Sequence, residues 1–178
     1  KHCWMLDQFC NPENVRAHYE TTGREILEDL PDVDVLVAGI GTGGTIMGTG
    51  MCLKEARPHV KLVGVEPHPG SQVQGLTSLD EGYIPPILDP SLLDGKVLVR
   101  TPQAFEHAVN IMNREGIFPG LSSGAVLYAA LRFAQRLQRG NIVCIFADSG
   151  WKYYGTAIWD AAHARFPHDD EAEAVIWW

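Results

Sequence analysis

The chain of 178 residues carries 14 basic against 22 acidic side chains, a net charge of −8, so it repels a phosphate backbone and excludes nucleic acid as a general partner. A hydrophobic content of 46% with 20% charged residues suits a globular domain with a real core, or a large piece of one. No apolar stretch reaches the ~18 residues of a membrane span, and the start shows no signal-peptide pattern. Cys3, Cys10, Cys52 and Cys144 form no CxxC pair and lack histidine at metal-ligand spacing, which points to reduced thiols, a cytoplasmic location and no metal site. Cys144, inside an apolar run, is expected to be a buried thiol. The first residue is Lys1 rather than a start methionine, so the chain is expected to be incomplete at its N-terminal side.

In chain order, the spacing predicts a helix over 14–30, stopped by Pro31, and then a strand over 33–40. A helix over 44–56 follows, ending before Pro58, and a second strand over 61–65. The stretch 67–95 breaks the rhythm with five prolines and four glycines. A connection of that length inside a compact domain is more often functional than idle. A strand over 96–99, helices over 102–115 and 123–137, and a strand over 141–147 come next, and a last helix is expected over 153–165. The four strands are rich in Val and Ile without clean alternation, the pattern of strands buried on both faces of a parallel sheet. The class is therefore α/β, a parallel sheet flanked by helices with right-handed crossovers.

The strongest local signal is the run Val35-Leu36-Val37-Ala38-Gly39 followed by Ile40, Gly41, Thr42, Gly43, Gly44 and Thr45. A buried strand enters a glycine-rich turn that opens a helix, where unpaired N–H groups and the positive helix end converge on one point. Such a turn binds an anion, and two ligands compete for it. Gly39, Gly41 and Gly44 satisfy G-x-G-x-x-G, and Glu66 follows Gly44 by 22 residues at the end of the next strand, which reads as a dinucleotide fingerprint. Thr42 and Thr45 instead add hydroxyl donors suited to one terminal phosphate monoester. A tight turn with no ligand is the plain structural alternative.

Several motifs in sequence order resemble the family of cysteine synthases and cystathionine β-synthases. They are Gln8-Phe9-Cys10-Asn11-Pro12-Glu13-Asn14, Ala17-His18-Tyr19 and Thr21-Thr22-Gly23-Arg24-Glu25, then the Gly41 to Thr45 turn and Val65-Glu66-Pro67. Gly82-Tyr83-Ile84-Pro85, Glu115-Gly116-Ile117, Gly120-Leu121-Ser122-Ser123-Gly124-Ala125 and Asp148-Ser149-Gly150-Trp151-Lys152-Tyr153 complete the set. The resemblance implies an incomplete tryptophan synthase β-like (fold type II) chain. In it 1–178 form the C-terminal large domain that binds pyridoxal 5′-phosphate (PLP), with 166–178 as a tail. It implies β-replacement that forms L-cysteine from O-acetylserine or O-phosphoserine and a sulfur donor. A same-fold alternative is a cystathionine β-synthase or a serine/threonine dehydratase. Alternatives of another class are a dinucleotide-binding domain and a non-catalytic fragment.

Residue by residue, the resemblance implies that Gly41, Thr42, Gly43, Gly44 and Thr45 cup the PLP phosphate. Ser122 meets the pyridine nitrogen with a neutral hydroxyl, a weak electron sink that suits β-elimination. Ser123 is the better candidate to cap the helix. Gln8 holds the substrate α-carboxylate, and Gly75 and Thr77 border the substrate. No catalytic residue is expected within 1–178, because the Schiff-base lysine of the family lies upstream of the Gln8 segment, as does its Thr-Ser-Gly-Asn loop. The piece alone is expected to be inactive and to form no lysine-linked PLP adduct. His18 and His107 are read as surface or hydrogen-bonded histidines, and Lys152 and Tyr153 as the start of a helix beside the cofactor. The motifs and the Ile176-Trp177-Trp178 ending look nearest to the actinobacterial (CysM-type) branch, whose tail folds over the cleft. That branch uses O-phosphoserine and a sulfur-carrier protein, and it places an arginine where this chain has Thr77, which leaves the donor open. A homodimer is also implied.

Overall fold

The computed structural model describes residues 3–154 and the backbone of 175–176. Its sheet has the order β4-β1-β2-β3-β5, with β1 (Val35–Gly39), β2 (Lys61–Pro67), β3 (Gly95–Val99) and β4 (Ile142–Cys144) parallel. The fifth strand, β5 (Val175–Ile176), runs antiparallel to β3, pairing Ile176 with Lys96 and Val175 with Val97. The sheet is therefore mixed at one edge, an addition to the expected parallel set. These two tail residues lie along β3, two strands away from β1; the rest of the expected tail lies outside the described residues.

Both faces of the sheet are covered, which explains why its strands read as unbroken apolar runs. Val35, Val37, Val63, Val65, Val97 and Val99 pack on one face with α4 (Thr101–Glu115) and α5 (Leu121–Ala134). Leu36, Ala38, Ile40 and Leu62 pack on the other with α3 (Gly44–Ala56). The expected first helix is two: α1 (Pro12–Glu20) and α2 (Thr22–Asp29). The break is at Thr21, whose backbone leaves helical geometry and whose Oγ1 donates to the carbonyl of Ala17 at 2.8 Å, competing with the helical ladder. Asn11 opens α1 by accepting the N–H of Glu13 at 3.0 Å, with Pro12 at the first helical position. The helix α5 starts two residues earlier than expected, at Leu121, with Gly120 as its cap. Ser123 therefore does not cap it, and its buried hydroxyl has no hydrogen-bond partner among the described residues. Cys144 is half-buried rather than buried, and burial still pushes its thiol up to about 11. The expected last helix begins only as a 3-10 turn, Gly150–Tyr153; its remainder lies outside the described residues.

Chain direction places the site. The chain runs outward through β1, β2 and β3, then returns to lay β4 on the other side of β1. At that switch α3 covers one face and α5 the other, so a crevice opens beyond the carboxyl ends of β1 and β4. Among the described residues no helix is long and apolar enough to cross a membrane.

One polar knot ties the opposite end of the sheet. Asp94 accepts the N–H of Leu62 at 3.0 Å and pairs with Lys54 at 2.6 Å and Lys61 at 3.0 Å. Desolvation works against its charge, but these donors win and hold the carboxyl below its usual range. A carboxyl depressed in the fold stabilises it above the unfolded pKa of about 3.9, and that share is lost as pH falls through the folded value. Asp94→Ala should therefore cost about 1–3 kcal/mol at neutral pH, because it also strands the Leu62 N–H. Thermal melts of both proteins between about pH 6 and pH 3 should converge as the wild-type carboxyl protonates; a constant gap would contradict this role.

Candidate active site

The crevice holds a cleft of about 470 Å³, whose walls include Gln8, Phe9, Gly39, Gly41, Thr42, Gly43, Thr45, Gly75, Leu76, Thr77, Ser122 and Val126. Ala38, Ile145 and Ala147 complete them. Five separated segments meet here: the Gln8 turn, the end of β1 with its turn into α3, the 75–77 segment, the start of α5 and the stretch that follows β4. Every site residue expected from sequence lines the cleft except Gly44. That glycine is packed under Asn14, whose Oδ1 would lie 2.1 Å from a Cβ at position 44.

The turn from β1 into α3 needs glycine at two places. Gly43 has φ +89 and a Cβ there would lie 2.9 Å from Leu88; at Gly41 a Cβ would meet the carbonyl oxygen of Gly75 at 2.8 Å. The first helical bond of α3 runs from Met47 N to Gly43 O at 2.9 Å, so the amides of 44–46 have no partner within the helix. Gly44 N donates to Thr42 Oγ1 at 3.3 Å, and the Thr45 and Ile46 amides remain for a ligand. Thr42 Oγ1 also accepts Asn14 Nδ2 at 3.0 Å, while the same amide donates to the carbonyl of Gln8 at 2.8 Å. Having accepted twice, the Thr42 hydroxyl keeps its own proton to donate into the cleft.

Thr45 Oγ1 lies 3.1 Å from His18 Nε2, and His18 Nδ1 lies 3.0 Å from Thr22 Oγ1. Burial lowers the pKa of His18 and favours the neutral ring, so one nitrogen donates and the other accepts. His18 is thus hydrogen-bonded, as expected, but its partner is a cleft threonine. Asn14 and His18 are the supports that sequence reasoning passed over. Their signal was available: they stand four residues apart on one face of α1. His107, by contrast, donates from Nδ1 to the carbonyl of Gln103 (2.9 Å) and packs edge-on against Tyr128, away from the cleft walls.

Ser122, on the first turn of α5, is 8% exposed and faces Gly75, where a Cβ would come within 3.8 Å of its Oγ. Gly75 has φ +87, and Thr77 donates its N–H to the carbonyl of Ile40 at 2.8 Å. Lys152 and Tyr153 are not among the cleft walls: Tyr153 donates to Asp148 at 2.6 Å, and Lys152 lies 3.7 Å from the same carboxylate. Burial and that carboxylate push the Tyr153 phenol up to about 12.

The donor set fits a phosphate monoester: two helix-start amides and two threonine hydroxyls at one end, an apolar wall, and a neutral serine at the other. The dinucleotide reading fails at its acid. Glu66 is fully buried and turned into the fold, 2.9 Å from Lys96 Nζ and accepting the N–H of Leu79 at 2.6 Å, so it offers nothing to a ribose.

Residues 1–148 match the family of pyridoxal-phosphate dependent enzymes, and the chain belongs to that family. It is 41% identical to a cysteine synthase of Aquifex aeolicus, covering 86% of this chain and 49% of that one. It is 37% identical to cysteine synthase B of Pseudomonas aeruginosa, covering 88% and 52%. Among solved structures, O-acetyl serine sulfhydrylase isoform 3 of Entamoeba histolytica superimposes with a TM-score of 0.83 at 31% identity, over 92% of this chain and 51% of that one. The chain thus spans about half the length of the relatives it matches.

Asn14→Ala should leave the sheet intact but free Thr42 and the Gln8 turn from each other. In a titration of the full-length protein, PLP affinity should fall about 5- to 30-fold, the equivalent of ~1–2 kcal/mol. Unchanged affinity would remove Asn14 from the cup.

Proposed function

We propose that this chain is the C-terminal, cofactor-holding part of an enzyme that forms L-cysteine by PLP-dependent β-replacement on an O-activated serine. The observation that carries the reading is the convergence in one cleft of the Thr42 and Thr45 hydroxyls, the helix-start amides, Ser122 and Gln8. When bound, PLP supplies an electron sink that makes loss of a β-substituent from an amino acid accessible. Thr42, Thr45 and the amides of Thr45 and Ile46 would hold its phosphate. Ser122 would give or accept a hydrogen bond at the ring nitrogen without placing a charge there, which keeps the sink weak and favours elimination over transamination. Val126, Ile145, Ala147 and Leu76 would exclude water from the ring. The Gln8 amide would donate to the substrate carboxylate, and the 75–77 segment would border the leaving group.

O-acetylserine is the donor that the cleft favours over O-phosphoserine. The described walls carry hydroxyls, amides and apolar groups, and Thr77 offers no charge to a second phosphate. The similarity to an O-acetyl serine sulfhydrylase supports the same choice. A homodimer, a cytoplasmic location and a sulfide or protein-thiocarboxylate sulfur donor belong to the same proposal. The Schiff-base lysine is assigned to sequence upstream of these residues.

The test supplies PLP, sulfide and either serine ester to the full-length protein and measures cysteine. Cysteine formed with higher kcat/KM from O-acetylserine is the expected result. No cysteine from either ester, or binding of NAD(H) in place of PLP, overturns it. The isolated 178-residue piece should show no borohydride-reducible PLP adduct on any of its own lysines.

A further inference from the structure

Lys96 and Glu66 are among the largest fully buried side chains of the fold, and no step above uses them. On the sheet Lys96 stands opposite Gly64, and Glu66 opposite Leu98, so the lysine stem climbs two residues to bring Nζ within 2.9 Å of Glu66 Oε1. That approach is a charge contact rather than an aligned hydrogen bond, since among the described residues Oε1 has no hydrogen-bond partner of good geometry. Nζ does donate an aligned bond to Asp80 Oδ1, at 2.9 Å. The second oxygen of Glu66 accepts the N–H of Leu79 at 2.6 Å. Burial opposes the ammonium charge, but Asp80 and Glu66 together raise the Lys96 pKa above its ordinary value, so the lysine stays charged.

Both connections land on one short 3-10 turn, Leu79–Glu81. One residue, Ser78, separates that turn from Gly75, Leu76 and Thr77, three walls of the cleft. The same segment is tied from its other side by the bond from Thr77 N to Ile40 O. It presses on the glycine turn so closely that a Cβ at Gly39 would lie 2.4 Å from Leu76. A buried ion pair adds little net stability over an apolar pair of similar volume. What this one supplies is a fixed anchor: a charge rooted in β3 and a carboxylate rooted in β2, both holding the turn that ends the cleft wall.

We infer that Lys96 and Glu66 are positioning residues that set the 75–77 wall of the cleft, acting through Asp80 and the Leu79 amide. The inference rests on the proposed function for the meaning of that wall, which is the substrate side rather than the phosphate cup. Its consequence is a split: loosening the anchor should weaken the hold on the amino acid while the cofactor stays bound.

Two variants of the full-length protein test it. Asp80→Asn keeps the buried Lys96–Glu66 pair and weakens only the link to the turn, whereas Lys96→Met removes the anchor's charge and risks the fold. Hydrogen exchange of peptides covering 73–82 should accelerate about tenfold in Asp80→Asn, with peptides from β1 and β2 unchanged. The KM for the serine ester should rise several-fold, with PLP affinity within about twofold of the wild type. Unchanged exchange over 73–82 in Asp80→Asn, or acceleration spread evenly over the sheet, overturns the inference. The exchange measurement needs no cofactor, so it decides the anchor even where the proposed reaction fails.

Discussion

Between Gly39, the last residue of β1, and Gly44, the first of α3, the chain has only residues 40–43 in which to pass from extended to helical geometry. The strand is buried on both faces, so the turn cannot spread sideways, and Gly43 takes a left-handed conformation beneath Leu88. That compression leaves the opening amides of α3 without helical partners, and they must be satisfied by side chains or by a ligand. Much else is arranged around this need. Asn14 reaches in from α1 to fix Thr42, His18 fixes Thr45, and the 75–77 segment lies over the turn with its own backbone bonded to Ile40.

Charge is placed accordingly. The protein carries a net −8, yet its candidate anion site is assembled from amides and hydroxyls, which attract a phosphate without a lysine or arginine in the described walls. Charge lies elsewhere, in the buried Lys96–Glu66 pair and at partly buried Asp94 with its two lysines, where it fixes backbone segments. Each knot binds a loop end to a strand: Asp94 ties the approach to β3 to Leu62, and Glu66 ties the turn after the cleft wall to β2.

The α/β class and the four parallel strands were legible because period and composition report burial, and these strands are buried on both faces. The span of α3 was read without error, since its glycine start and Arg57-Pro58 end are both local signals. The break at Thr21 was missed because it depends on a hydroxyl choosing the Ala17 carbonyl, which periodicity does not register. The β5 pairing joins residues about eighty positions apart in sequence, and no local pattern announces it. Of the site, the glycine turn and Ser122 carried their own motif. Asn14, His18 and Glu66 stand within motifs too, but their supporting roles and the pairing with Lys96 did not show there, because those roles arise from contacts between elements distant in sequence. The Glu66 reading failed for the same reason: spacing put an acid at the strand end, and only packing shows that it faces Lys96.

The most direct test is a crystal structure of the full-length protein with PLP bound. The account predicts the phosphate at the start of α3, with its oxygens about 3 Å from the Thr42 and Thr45 hydroxyls. It also predicts the ring nitrogen at Ser122 and the covalent link to a lysine outside residues 1–178. A phosphate bound away from the Gly41 to Thr45 turn, or a link to a lysine within this chain, would contradict it.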